Sequence, residues 1–318
     1  MPDQSPAPAS GSDITILVPA YQCAGQLLAH SQSLQKYRAL GCPIIWVVSP
    51  SPDRSDTVAE EICIQTGDSF LLSPPGLYAS WNFGVAHVKT PFLSFSTIND
   101  SYINTGLIQM AGLLQNNQAD LCFSPPVMRG ISQRDIDWPV LVYPGLFKKR
   151  ANSIISHEFL LIMQILSGLS CVLGSWASIL ARSSFLKSRP FPTDFGHYGD
   201  TAWFYRSLLD SRICYIDEPI SIFTVQDLCD SRKTDGLKMQ NDRKCLADEL
   251  MTKAYKAGLN PDKFFRYQKS FLCAGFMLNN LRGIHPRRFW WINPRAWILR
   301  FQRSTSSLAL KRLLASLP

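Results

Sequence analysis

Short apolar runs alternate with longer, partly polar stretches through the first 125 positions of the chain. Ile14-Thr15-Ile16-Leu17-Val18 is continuous and mostly β-branched up to Pro19, and predicts a strand. Residues 25–40 then place Leu27, Leu28, Leu34 and Tyr37 at helical spacing. The same alternation continues with strands at 43–48, 69–72, 91–95 and 120–124 and helices at 56–64, 77–88 and 105–114, the first of these helices carrying acids in its opening turns. This β-α alternation with short connections predicts an α/β fold: a mostly parallel central sheet flanked by helices, with ligands collecting at the carboxyl ends of the strands.

Residues 159–181 contain 23 positions without a formal charge, long enough to reach across a bilayer. Gln164, four serines, Gly168 and Gly174 interrupt the run, so it reads as a buried helix at 159–166 followed by a core strand at 172–180. After Asp227 the chain becomes charged and helical, and 261–281 forms a second amphipathic stretch.

At 318 residues and 46% hydrophobic content the chain has material for a sizeable core. Its nine cysteines are scattered and never form a C-x-x-C pair, which fits reduced thiols better than a disulfide framework or a zinc site. The first 12 residues lack the basic and apolar regions of a signal peptide and read as a disordered leader, so the expectation is a cytoplasmic protein. The formal charge of +8 is uneven: residues 282–318 hold eight Arg and Lys and no acid, together with Phe289, Trp290, Trp291, Trp297 and Phe301. This tail reads as a basic, partly packed helix pair or as a peripheral contact with the inner face of an anionic membrane. Nucleic acid, which answers to the same charges, is the least favoured partner.

Three segments at the predicted strand ends carry a resemblance. Val18-Pro19-Ala20-Tyr21-Gln22, then residues 44–57 (IIWVVSPSPDRSDT), then residues 76–102 (GLYASWNFGVAHVKTPFLSFSTINDSY) resemble the successive motifs of the inverting family 2 glycosyltransferases, whose fold is the Rossmann-like GT-A nucleotide-sugar fold. The resemblance covers roughly residues 13–225. It implies a GT-A domain at 13–228, with a nucleotide-sugar half at 13–125 and an acceptor half at 126–228, followed by a helical extension at 229–281 and the basic aromatic tail at 282–318.

The resemblance also assigns candidate roles. Pro19, Ala20, Tyr21, Ser49, Trp81, Asn82 and Asn99 occupy donor-binding positions, and Asp200 that of the catalytic base. The family places Asp-x-Asp at the end of the fourth strand to hold a divalent cation, Mg or Mn, against the departing diphosphate. Here the corresponding residues are Thr97, Ile98 and Asn99, followed by Asp100, which leaves Asp100 and Asn99 as candidate ligands. The competing reading of 99–101 is a cap on the next helix. Ser49 stands where the family has a base-binding acid, so a uracil preference does not carry over, and Ser55 or, preferentially, Asp56 reads as the following helix cap. Trp81 replaces a frequent arginine and suits packing or stacking.

On the acceptor side, Gly199-Asp200 stands where the family has Glu-Asp, with Asp200 either base or helix cap. His197 is a loop histidine beside it, and Gln226 replaces a metal-assisting histidine. The resulting expectation is hexosyl transfer with inversion, from a nucleotide-sugar donor to a glycan or lipid-linked acceptor, as in polysaccharide biosynthesis. The alternative is a relative that binds a nucleotide or glycan without transfer.

Overall fold

Each predicted apolar run in the first half becomes a strand of one sheet. The computed structural model describes residues 9–129, 135–137, 147–166, 171–224 and 236–259. Its strands are β1 (Ile14–Ala20), β2 (Ile44–Val48), β3 (Ser69–Leu72), β4 (Phe92–Phe95), β5 (Ser101–Tyr102), β6 (Leu121–Phe123), β7 (Val127–Arg129), β8 (Asp135–Asp137), β9 (Ile154–Ile155), β10 (Ile179–Arg182), β11 (Ile213–Tyr215) and β12 (Ser221–Thr224). Its helices are α1 (Ala24–Ser33), α2 (Gln35–Ala39), α3 (Ser55–Thr66), α4 (Leu77–His87), α5 (Gly106–Asn116), α6 (His157–Leu166), α7 (Ser183–Ser188), α8 (Gly199–Ser207) and α9 (Gly236–Lys256).

The eight-stranded sheet runs β3-β2-β1-β4-β10-β6-β11-β9, with β10 and β9 antiparallel to their neighbours, and β5-β12-β7-β8 form a second, smaller sheet. Every residue of β2 is buried because helices cover both faces of the large sheet. Ile14, Ile16, Val18, Trp46 and Val48 pack toward α1, α2, α3 and α5, whereas Leu17, Ile45 and Val47 pack toward α4, α6, α7 and α8. On that second face Gly84 is a contact requirement: a Cβ there would stand 2.7 Å from Val47 Cγ2, so its absence lets α4 lie directly on β2. On the first face, Asp68 accepts from Arg38 and, at 2.9 Å, from the Trp46 indole, tying α2 to the start of β3.

Four local readings need correction. The helix expected over 25–40 divides at Leu34 into α1 and α2. The cap of α3 is Arg54, in left-handed conformation at φ 63°, and neither Ser55 nor Asp56; the Asp53 carboxylate accepts from Ser55 N instead. The strand expected over 172–180 is confined to β10, because Ser175 Oγ accepts from Ala177 N and winds Trp176–Ser178 into a 3-10 turn. The cap before α5 is likewise not supplied by 99–101: Gly106 N donates to Asn104 Oδ1, and Ser101 and Tyr102 form β5.

The uncharged run at 159–181 is thus a buried helix followed by a sheet strand, and no helix among the described residues is long and apolar enough to cross a membrane. Of the leader expected over 1–12, residues 1–8 lie outside the described residues, as do Gln226, the amphipathic stretch at 261–281 and the basic tail, but its end is ordered: Gly11 is buried and opens a 3-10 turn over Gly11–Asp13.

Candidate functional site

Parallel pairing brings the carboxyl ends of β1, β2, β3 and β4 to one edge, where Ala20 pairs with Val48 and Val48 with Leu72. The residues that follow these strands are Tyr21, Ser49, Ser73 and Ser96, and the antiparallel β10 enters at the same edge through Ser175–Ser178. The N-termini of α1, α3 and α4 also open there, so backbone N–H groups and positive helix ends face the ligand side.

Asp100 lies at this edge but turns into the protein. Asn99, at φ 75°, occupies the third position of a turn closed by Asp100 N donating to Thr97 O at 3.0 Å. That turn buries the Asp100 side chain, whose Oδ2 accepts from Thr97 Oγ1 at 2.5 Å and Ser175 Oγ at 2.9 Å and whose Oδ1 accepts from Thr224 N at 3.2 Å. Burial lifts its pKa to about 6 against the pull of these three hydrogen bonds. The carboxylate joins the end of β4 to the β10 approach and to β12. Three of its roughly four lone-pair directions are therefore taken by protein donors. Among the described residues no three His, Cys, Asp or Glu side chains gather as a cation would require. Asp100 and Asn99 as arranged do not fit a Mg or Mn site.

The end of β2 is also internally bonded. Ser49, 4% exposed, shares a hydrogen bond with Ser73 Oγ at 3.0 Å and donates to Pro74 O at 3.1 Å. Asp53, the acid nearest that strand end in sequence, accepts from Ala24 N, Ser51 Oγ and both the N–H and hydroxyl of Ser55. Desolvation alone would raise its carboxyl, yet these hydrogen bonds outweigh it and hold the pKa at about 2. The loop after β2 is thereby pinned to the start of α1. Of the β1 candidates, Ala20 is buried, Pro19 is half-buried and Tyr21 is 54% exposed, leaving its ring open at the edge.

The α4 motif faces the segment from Phe191 to His197 that precedes α8. Tyr78, Trp81 and Asn82 share one face of the helix, as their i, i+3, i+4 spacing dictates. Asn82 Nδ2 donates to Phe191 O and Phe191 N donates to Asn82 Oδ1, both at 2.8 Å. Trp81 is buried, stacked on Phe95 with ring centroids 4.3 Å apart and edge-on to Phe191 and Trp176; its Nε1 finds no partner among the described residues. Tyr78 stacks on Phe191 and donates to His197 O at 3.1 Å. The motif clamps the segment that leads into α8.

Asp200 is the second residue of α8, not its cap, which is Tyr198. Its Oδ1 accepts from Thr201 N at 2.6 Å and Thr201 Oγ1 at 3.3 Å, and the Tyr78 hydroxyl lies beside it. The residue is half-buried. Desolvation raises its pKa, opposed by the hydrogen bonds from Thr201 and Tyr78. Trp203, one turn on, packs against Trp176, the neighbour of the Ser175 that binds Asp100. The two candidate acids thus share a framework through Ser175 and Trp176.

Sequence reading did not single out Tyr78, Ser73, Ser175 or His30. His30 is buried against Ser96 Oγ at 3.1 Å, and burial lowers its pKa to about 4, so it is neutral under the end of β4. Only the position of Tyr78 one turn before Asn82 offered a signal.

No protein-family model and no curated protein matches the sequence. Among solved structures, the chain is similar to S. aureus TarS 1-349 in complex with UDP, with a TM-score of 0.57 at 17% identity over 85% of this chain and 74% of that one. TarS 1-349 in complex with UDP-GlcNAc gives a TM-score of 0.57 at 17% identity over 90% of this chain and 78% of that one. The chain has the GT-A fold of the nucleotide-sugar glycosyltransferases, with its candidate site at the carboxyl edge of the large sheet.

Proposed function

We propose that this chain is a glycosyltransferase that moves a hexosyl group from a nucleotide-sugar donor to a glycan or lipid-linked acceptor with inversion. The observation that carries the reading is Asp200: a half-buried carboxylic acid of raised pKa at the start of α8, beside the α4 face at the carboxyl edge of the large sheet. In this reading Asp200 takes the proton of an acceptor hydroxyl while that oxygen attacks the anomeric carbon. The bond to phosphate breaks on the opposite face, and the nucleoside diphosphate leaves with the bonding electrons. A base whose pKa is raised toward neutrality makes a stronger proton acceptor than an ordinary carboxylate. Pro19, Ala20, Tyr21, Ser49 and Asn99 line the donor side in this reading, with the open Tyr21 ring as its stacking face, while Trp81 and Asn82 act as supports. The tail at 282–318 supplies contact with an anionic membrane carrying a lipid-linked acceptor.

A second reading, binding of a nucleotide or glycan without transfer, is favoured by the commitment of Asp100, Ser49 and Asp53 to protein partners. A panel of UDP-, GDP-, CDP- and ADP-sugars separates the two. Transfer predicts nucleotide release with at least one donor, accelerated by an oligosaccharide or polyprenyl-phosphate-linked acceptor. Thermal stabilisation by a donor with no release under any condition would favour the binder.

A further inference from the structure

Gly199 is the departure from the Glu-Asp pattern that the fold explains most directly. A Cβ at this position would lie 2.3 Å from Tyr78 Cδ2, 2.4 Å from Tyr78 Cε2 and 2.6 Å from Pro192 O. No side chain fits there while the Tyr78 ring is in place. The ring is fixed from three sides: stacked on Phe191 at 5.8 Å, edge-on to Trp81 at 5.3 Å, and bonded through its hydroxyl to His197 O. Tyr78 is 4% exposed, so its hydroxyl has no ready exchange with water.

We propose that Tyr78 is the positioning residue for the Asp200 carboxylate, its ring filling the space left by the absent side chain at 199 and its hydroxyl shared between His197 O and Asp200. A phenol has one proton to donate. It points to the His197 carbonyl when Asp200 is protonated and turns to the carboxylate when Asp200 is ionised, stabilising the base form. Among the described residues Cys171 approaches both Asp200 and Tyr78; burial holds its thiol at about 12, so it is neutral while Asp200 titrates. The inference deepens the proposed function and rests on it only for the catalytic consequence.

The test follows the carboxyl directly. In protein carrying 13C at Asp Cγ and Tyr Cζ, the Asp200 resonance is identified by its loss in Asp200→Asn. Its titration midpoint rises by about one pH unit in Tyr78→Phe, which keeps the ring and loses the hydroxyl. An unchanged midpoint overturns the proposal. In the unsubstituted protein the Tyr78 Cζ resonance shows an inflection at the Asp200 midpoint that vanishes in Asp200→Asn. This readout needs no substitution of Tyr78, and its absence also overturns the proposal. Donor turnover is scored separately. Coupling without any effect of Asp200→Asn on transfer would remove Asp200 as base yet leave the Tyr78 assignment standing.

Discussion

Asn82 and Phe191, 109 residues apart, are joined by two hydrogen bonds of 2.8 Å between the asparagine amide and the phenylalanine backbone. The pair has the form of one rung of a β-ladder, made by a side chain. It anchors the segment before α8 to the helix that follows β3. Asn82→Ala leaves the N–H and C=O of the buried Phe191 without these partners, at a cost of about 2 kcal/mol. Urea denaturation is expected to register that loss, while calorimetric affinity for the nucleoside diphosphate of the donor selected by the panel stays within threefold. A large affinity loss at unchanged stability would return Asn82 to the donor side.

Asp100 predicts a pH dependence of stability. Its pKa is about 6 in the fold against an ordinary value of 3.8. Between these values the native state binds more protons than the unfolded chain, so stability falls as pH rises from about 4 to about 6. The loss reaches about 3 kcal/mol for this group. Asp100→Asn keeps a hydrogen-bonding side chain and removes the titration. Denaturation midpoints at pH 4.5 and 7 should therefore differ less in the variant than in the parent protein, and an equal difference would count against the buried-carboxylate account.

The same hydrogen bonds bear on cations. With Thr97, Ser175 and Thr224 holding the Asp100 oxygens, nucleotide affinity is expected to be the same within threefold in EDTA, magnesium and manganese. Calorimetric titration with the nucleoside diphosphate of the donor selected by the panel checks this. A tenfold gain with manganese would mean that Asp100 or other acids rearrange around the ion.

The basic aromatic tail predicts a surface preference. Full-length protein should sediment with vesicles of phosphatidylglycerol, release them as salt is raised, and ignore phosphatidylcholine vesicles. Deleting 282–318 should abolish the effect. Equal binding by the truncated protein would locate the attraction elsewhere.

The sheet was legible in the chain because its strands are short apolar runs, broken only by single polar residues such as Thr15 in β1 and Ser94 in β4. Ile44–Val48 has no polar face to suggest any other placement, and the turns between strands and helices are short. Ser69–Leu72 falls where the pattern put it. The strand at 172–180 misled because its apolar residues Val172, Leu173 and Trp176 are buried in turns, and burial alone looks like a strand. The candidate site was legible as a set of positions and much less as a set of roles. Nothing local to Asn82 signals that its amide takes the Phe191 backbone, and nothing near Asp100 signals Thr224 N, 124 residues on. A polar side chain reports its capacity to hydrogen bond; the fold chooses the partner. Tyr78 was overlooked for the same reason: its importance lies in the space above Gly199, which exists only once α4 and α8 meet.

Asp200 acts as the base of the proposed glycosyl transfer, and Asp200→Asn tests this with the donor that gives the highest nucleotide release. The amide preserves the size of the side chain and an oxygen able to accept from Thr201 N. The account predicts a fall in kcat of about 100-fold or more, with the donor-induced rise in Tm retained. Turnover within threefold of the unsubstituted protein would contradict it.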